Sequence, residues 1–246
     1  MLRMTLCAAA LGIIFFSSAG GGLAQTAPTG RHLVYDFTVG VQTSNTSQTS
    51  AAQETQGGNV PTYGYNDMAA GDSDKGQIIV DVKGVEADGG LVLDVSETSV
   101  RSNRNSAAST CVVYPNTNVV CGAADVHPEA VSVLRTLSPK FFDPGALDAN
   151  RHWQVSNPAA GVTIDFRAAP SPGGPTVTID AERVEKFTNG SSVNSNAKYS
   201  YDLTKLVPTS LTEYQTIRQQ NGAGAYSTVT FDTTATLVSD SGSGKS

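Results

Sequence analysis

Chemistry in this chain would first be sought at its cysteines, histidines and paired carboxylates. Cys111 and Cys121 bracket the stretch Cys-Val-Val-Tyr-Pro-Asn-Thr-Asn-Val-Val-Cys. Their spacing is too long for a Cys-x-x-Cys redox pair, and no histidine pair accompanies them to complete a zinc site. A fold at Asn116 sets Cys111 opposite Cys121, Val112 opposite Val120 and Val113 opposite Val119. Directly opposed residues of an antiparallel pair can bring their Cβ atoms within bonding reach, so the expected chemistry is a cross-strand disulfide.

The three histidines fall at unrelated places. His32 precedes the first predicted strand, His127 stands at a helix start, and His152 lies beside the only tryptophan. There is no His-x-x-x-His pair, so surface or capping roles suit each better than metal ligation. Asp72-Ser73-Asp74-Lys75-Gly76 opens like a calcium loop. The positions that should supply a further oxygen and a closing bidentate glutamate hold Gly76 and Lys83, and a polar turn accounts for the same residues. Asp165 and Asp180 lie in adjacent predicted strands, each alternating with apolar neighbours, and so face solvent. The chain has no Gly-x-Ser-x-Gly elbow and no phosphate-cradling Gly-Lys-Ser/Thr loop. No catalytic residue, metal ligand or cofactor site is therefore assigned.

The elements that would position such groups begin after a targeting segment. Arg3 gives a positive start, Leu6 to Phe16 is apolar, and Gly22-Leu23-Ala24 precedes Gln25. That pattern predicts a signal peptide over 1–24, cut between Ala24 and Gln25. Gly20, Gly21 and Gly22 break the apolar run before it reaches membrane length. Cys7 leaves with the leader, so Cys111 and Cys121 are the two cysteines of the exported chain, which is what a one-disulfide protein needs. The expected location is the periplasm or the external medium. Net charge is −6 without a basic run, which excludes nucleic acid as a partner.

Leu33 to Gln42, Gln77 to Glu86, Leu91 to Val95, Val162 to Phe166, Val177 to Phe187, Ala197 to Leu203, Leu211 to Gln219 and Tyr226 to Val238 read as strands. Most show apolar and polar residues in alternation. His152 to Val155 adds a short strand around Trp153, whose ring is expected in packing. One helix starts at Pro128, with Val131, Leu134 and Leu137 on one face, and Pro139 ends it. Residues 25–32 read as a polar tail, 43–75 as a flexible polar excursion anchored by Tyr63 and Tyr65, and 239–246 as a disordered tail. Asn45-Thr46-Ser47 and Asn189-Gly190-Ser191 match the N-glycosylation sequon, which has meaning only in a eukaryotic secretory route.

These elements predict a single all-β, mainly antiparallel domain over 33–238. A curved meander sheet forming a half-barrel or barrel, with one short capping helix, is the first architecture, and a two-sheet sandwich the second. The functional expectation is an exported non-enzymatic protein that binds an apolar ligand, a lipid or acyl chain, in the curved sheet. A structural or interaction protein of the cell envelope, contacting another envelope protein, is the alternative. A hydrolase without a recognisable motif is the third.

Overall fold

The computed structural model describes residues 29–45, 68–101, 104–122, 126–142, 151–170, 174–220 and 226–242. The leader with its Ala24–Gln25 junction, Tyr63 and Tyr65, the Asp143-Pro144-Gly145 turn, the Asn221 to Gly224 turn and residues 243–246 lie outside the described residues.

Eleven strands form one antiparallel sheet: β1 (His32–Asn45), β2 (Ser73–Val85), β3 (Leu91–Ser99), β4 (Ser106–Val113), β5 (Val119–Cys121), β6 (His152–Asn157), β7 (Val162–Pro170), β8 (Thr176–Lys186), β9 (Ser192–Asp202), β10 (Val207–Gln220) and β11 (Tyr226–Ser241). Their spatial order is β5-β4-β3-β2-β1-β11-β10-β9-β8-β7-β6. The chain runs outward from the centre through five strands, crosses to the far edge, and returns as a six-strand meander. The last strand then pairs with the first along its whole length. The sheet is curved and open: β5 and β6 are its two edges, so neither a closed barrel nor a two-sheet sandwich is formed.

Curvature follows from the crossing. Six strand spacings of about 4.8 Å would hold β5 and β10 roughly 29 Å apart in a flat sheet. Yet helix α1 (Pro128–Arg135), on the crossing segment, touches edge strand β5 as well as the central β10 and β11. Register shifts at Val34/Tyr35, Val82/Gly84, Val95/Glu97 and Pro208/Ser210 supply local bends of the kind that let a sheet coil.

Period-two patterning decides which face is buried. Leu33, Tyr35, Phe37, Val39 and Val41 of β1 all point inward and are buried. Their partners continue the rows: Phe37 opposes Ala235, which opposes Leu211, which opposes Tyr199, which opposes Ile179, and all are buried. Fully burying each large aliphatic or aromatic side chain contributes about 1.5–3 kcal/mol. Helix α1 and the chain just after it pack against that face, the helix on β5, β10 and β11 and Phe141 on Phe166 and Tyr199.

Several strands run further than alternation alone suggested. β1 continues to Asn45, β2 begins at Ser73, β4 begins at Ser106, and β11 reaches Ser241. Ladder pairs such as Thr43 with Val229 and Leu33 with Asp240 hold these polar ends, since β-branched threonine suits a strand even where no face is apolar. Arg31, read as part of a polar tail, is buried: its guanidinium donates a fork to Asp240 at 2.8 and 2.7 Å and a third bond to the Lys205 carbonyl at 2.6 Å.

The hairpin of β4 and β5 has the expected register, Cys111 with Cys121, Val112 with Val120 and Val113 with Val119, and the two cysteines are disulfide-bonded. Thr117 takes a positive φ of 63° in the connecting turn, where Asn118 N–H donates to the Asn116 side chain. A ladder of three pairs is too short to hold an edge alone. Replacing Cys111 with Ala should lower stability by roughly 2–3 kcal/mol through loss of the cross-link, read as a midpoint shift in denaturant. Labelling the intact protein should find neither Cys111 nor Cys121 free.

Candidate functional site

Two groups of side chains lie on the inner face, one charged and one aromatic. The charged group gathers at the N-terminus of α1. Asp74 comes from β2, Glu97 from β3, Arg104 from the connection into β4, His127 from the N-cap of α1 and Glu129 from its first turn. All five are buried, none more than 6% exposed. Arg104 donates to Asp74 Oδ2 and to Glu129 Oε1, both at 2.7 Å. Glu97 accepts twice from His127, from the backbone N–H at 3.0 Å and at Nδ1 at 2.8 Å. Ser99 Oγ donates to Asp74 at 2.6 Å, and the Lys75 N–H adds a bond at 2.8 Å.

Local sequence explains how these residues converge. The β3 face turns from apolar Leu91, Leu93 and Val95 to Glu97 one step further on, still pointing inward. Asp74 lies opposite Val39 on the same buried face. Gly76 lets β2 pass close to β3, since a Cβ there would stand 1.8 Å from the Thr98 carbonyl oxygen. Pro128 starts α1 without leaving an N–H that would need an acceptor, and Glu129 sits where the helix dipole favours an acid. His127 occupies the capping position, but its side chain makes no cap hydrogen bond. It reaches Glu97 instead, so the expected surface or capping role is corrected to a buried partner.

Electrostatics differ within the cluster. Burial opposes the charge on Asp74, but hydrogen bonds from Ser99, Arg104 and Lys75 outweigh it and hold the carboxyl below its usual range. Burial and the neighbouring Glu97 charge push Glu129 up to about 7, against the pull of Arg104. Burial draws the His127 imidazole down, and its bond to Glu97 more than reverses this, leaving it raised. The Oε2 atom of Glu129 has no hydrogen-bond partner.

The aromatic group lies toward the β6 edge. Phe141, on the chain after α1, sets its ring 5.1 Å from Phe166, 5.0 Å from Tyr199 and 5.7 Å from Tyr201. Phe142 reaches Trp153 and Tyr201 at 5.9 and 5.5 Å. Trp153 stacks on Phe166 at 5.2 Å and donates its indole N–H to the Phe141 carbonyl at 3.1 Å. Trp153 is thus a packing residue, as its strand context implied. Between this group and α1 lies a cavity of about 20 Å³, lined by Arg135, Phe141, Arg183, Tyr199 and Glu213 among others. That is room for one water.

The remaining candidates are dispersed. His32 meets Asp81 at 2.7 Å, and His152 meets Asp165 at 3.3 Å; both pairs are substantially exposed. Asp180 pairs loosely with Lys198 at 3.5 Å. Asp165 opposes Glu182 and Asp180 opposes Arg167, so the two aspartates are not brought together. The calcium-like run is divided: Asp72 pairs with Arg101 at 2.8 Å, while Asp74 turns into the core. Glu97 and Arg104 were not singled out by sequence, and Glu129 was read only as an acid favoured at a helix start. The one available signal was a glutamate continuing the inward register of an apolar strand.

No family model matches the chain, and no curated protein matches it. Among solved structures it is similar to one described as lipid–protein interactions in lipovitellin, with 8% identity and a TM-score of 0.48. The match covers 89% of this chain and 26% of that one, so the chain spans about a quarter of its length. Among the described residues, no helix is long and apolar enough to cross a membrane.

Two substitutions test the charged group. Arg104→Met removes the donor shared by Asp74 and Glu129 and leaves buried carboxylates uncompensated, which should cost about 3–5 kcal/mol in denaturant unfolding. Asp74 contributes stability that is present above its unfolded value and lost as pH falls through its depressed folded value. Asp74→Asn should therefore flatten the acid limb of the stability–pH curve below about pH 4, the ordinary carboxylate range, and the readout is thermal unfolding at a series of pH values.

Proposed function

We propose that this is an exported, non-enzymatic protein that holds an apolar ligand, a lipid or acyl chain, against the inner face of its curved sheet. The observation that carries the reading is the way the β6 side of that face is sealed. Two phenylalanines on a segment without regular structure, Phe141 and Phe142, fill a recess made by Trp153, Phe166, Tyr199 and Tyr201. The apolar burial in these contacts is non-directional, and an acyl chain can replace it with little change in buried apolar area.

The cavity present is far below the hundreds of cubic ångströms that a ligand of that size occupies. Binding therefore proceeds by displacement of Phe141 and Phe142, with the ligand taking their place. Export rests on the leader pattern of residues 1–24 and agrees with the disulfide.

Trp153 is the only tryptophan and forms part of the recess, so its fluorescence reports occupancy. A brominated fatty acid should quench it saturably, and mass spectrometry of protein purified from its native host should recover bound lipid. Absence of both signals would overturn the reading. Phe141→Ala with Phe142→Ala should tighten binding, because the ligand no longer displaces the rings.

A further inference from the structure

Glu97, His127 and Glu129 each offer a ligand atom, and these atoms all lie within 4.8 Å of one another. The geometry points to a binding site for one first-row divalent cation of the zinc class, held by the imidazole of His127 and the carboxylates of Glu97 and Glu129. The inference is independent of the lipid reading, since none of these residues belongs to the aromatic recess.

Three observations support it. The ligands come from elements fixed by other means. Glu97 extends the β3 ladder, while His127 and Glu129 flank the Pro128 start of a helix whose Ala130, Val131 and Leu134 are buried. Glu129 is 0% exposed and its Oε2 has no hydrogen-bond partner. A buried carboxylate oxygen left unpaired is costly, and a cation is one of the few groups that satisfies it fully. Finally, the mixed imidazole and carboxylate set suits zinc and its first-row neighbours over calcium or magnesium, which take oxygen ligands.

The required rearrangement is small. Ligands about 2.0–2.2 Å from a tetrahedral ion stand roughly 3.3–3.6 Å apart; the His127–Glu97 pair, now at 2.8 Å, parts slightly to admit the ion, and the whole set already lies within 4.8 Å. The nearby Arg104 does not forbid a cation, because Asp74 pairs with the same guanidinium at 2.7 Å.

The test uses the full exported chain, stripped with chelator and carrying His32→Gln and His152→Gln to remove the two exposed His–Asp pairs. Zn²⁺ titrated against a chromophoric chelator should bind at one equivalent and raise the unfolding temperature, whereas Ca²⁺ and Mg²⁺ should do neither. Glu129→Gln keeps an oxygen to accept from Arg104 but loses the anionic ligand. It should weaken zinc by more than about tenfold, the loss that even outer-shell changes produce, while its metal-free unfolding temperature stays near that of the parent. If that variant fails to fold, cobalt substitution of the parent decides. Visible absorption bands of a low-symmetry site with one nitrogen donor support the proposal, and the spectrum of hydrated Co²⁺ overturns it. Absence of one-equivalent zinc binding, or unchanged affinity in folded Glu129→Gln, also overturns it.

Discussion

An open sheet of eleven strands buries one face, and something other than a second sheet has to cover it. The rest of the structure depends on that constraint. Alternation is kept strictly enough that Leu33 to Val41, Ile78 to Val82 and Leu91 to Val95 all point one way, so the inner face is apolar across its centre. Among the described residues its cover includes an eight-residue helix and a short irregular segment carrying Phe141 and Phe142. A helix so short is marginal in isolation and persists only through packing. The sheet curls so that α1 touches both an edge strand and the centre.

The charged group fixes the near end of that cover. Val131, Leu134 and Leu137 provide burial, but apolar contact alone leaves a helix free to slide and rotate on a smooth face. Arg104 forms directional bonds to a strand residue, Asp74, and a helix residue, Glu129, at equal distances. Glu97 takes the backbone and the ring of His127 together. Burying so many charges gains little net stability over apolar side chains of like volume. What the arrangement supplies is one position and one rotation for α1. A hydrophobic helix start in the same place would pack as well and specify less.

Legibility in the sequence followed range along the chain. The hairpin register from Cys111 to Cys121 was readable because its constraints are local: a turn, two valine pairs and a bond. The start of α1 at Pro128 was readable for the same reason, as was the inward side of the strands that alternate plainly, such as Leu33 to Val41 and Ile78 to Val82. The charged group was not. Its partners are separated by 25 to 30 residues, and each member looked ordinary in its own window. Arg104 lies in a Ser/Asn-rich stretch with no hydrophobic period, yet it is buried and strand begins at Ser106. His127 had the position of a cap and made a different bond. Polar strand ends were missed because threonine and serine ladders carry no hydrophobic period, only the backbone hydrogen bonds of their neighbours.

The two ends of the cover are held by different physics, and that difference orders how they respond. At Glu129 and His127 the contacts are directional hydrogen bonds between buried groups. At Phe141 and Phe142 the contacts are ring against ring, and displacement by another apolar group conserves most of the burial. The indole N–H of Trp153 is satisfied there by a single carbonyl, a bond that solvent or a ligand oxygen can replace. The phenylalanine end of the cover is therefore the end whose contacts exchange at lower cost, while directional bonds from Arg104 and Glu97 fix the start of α1.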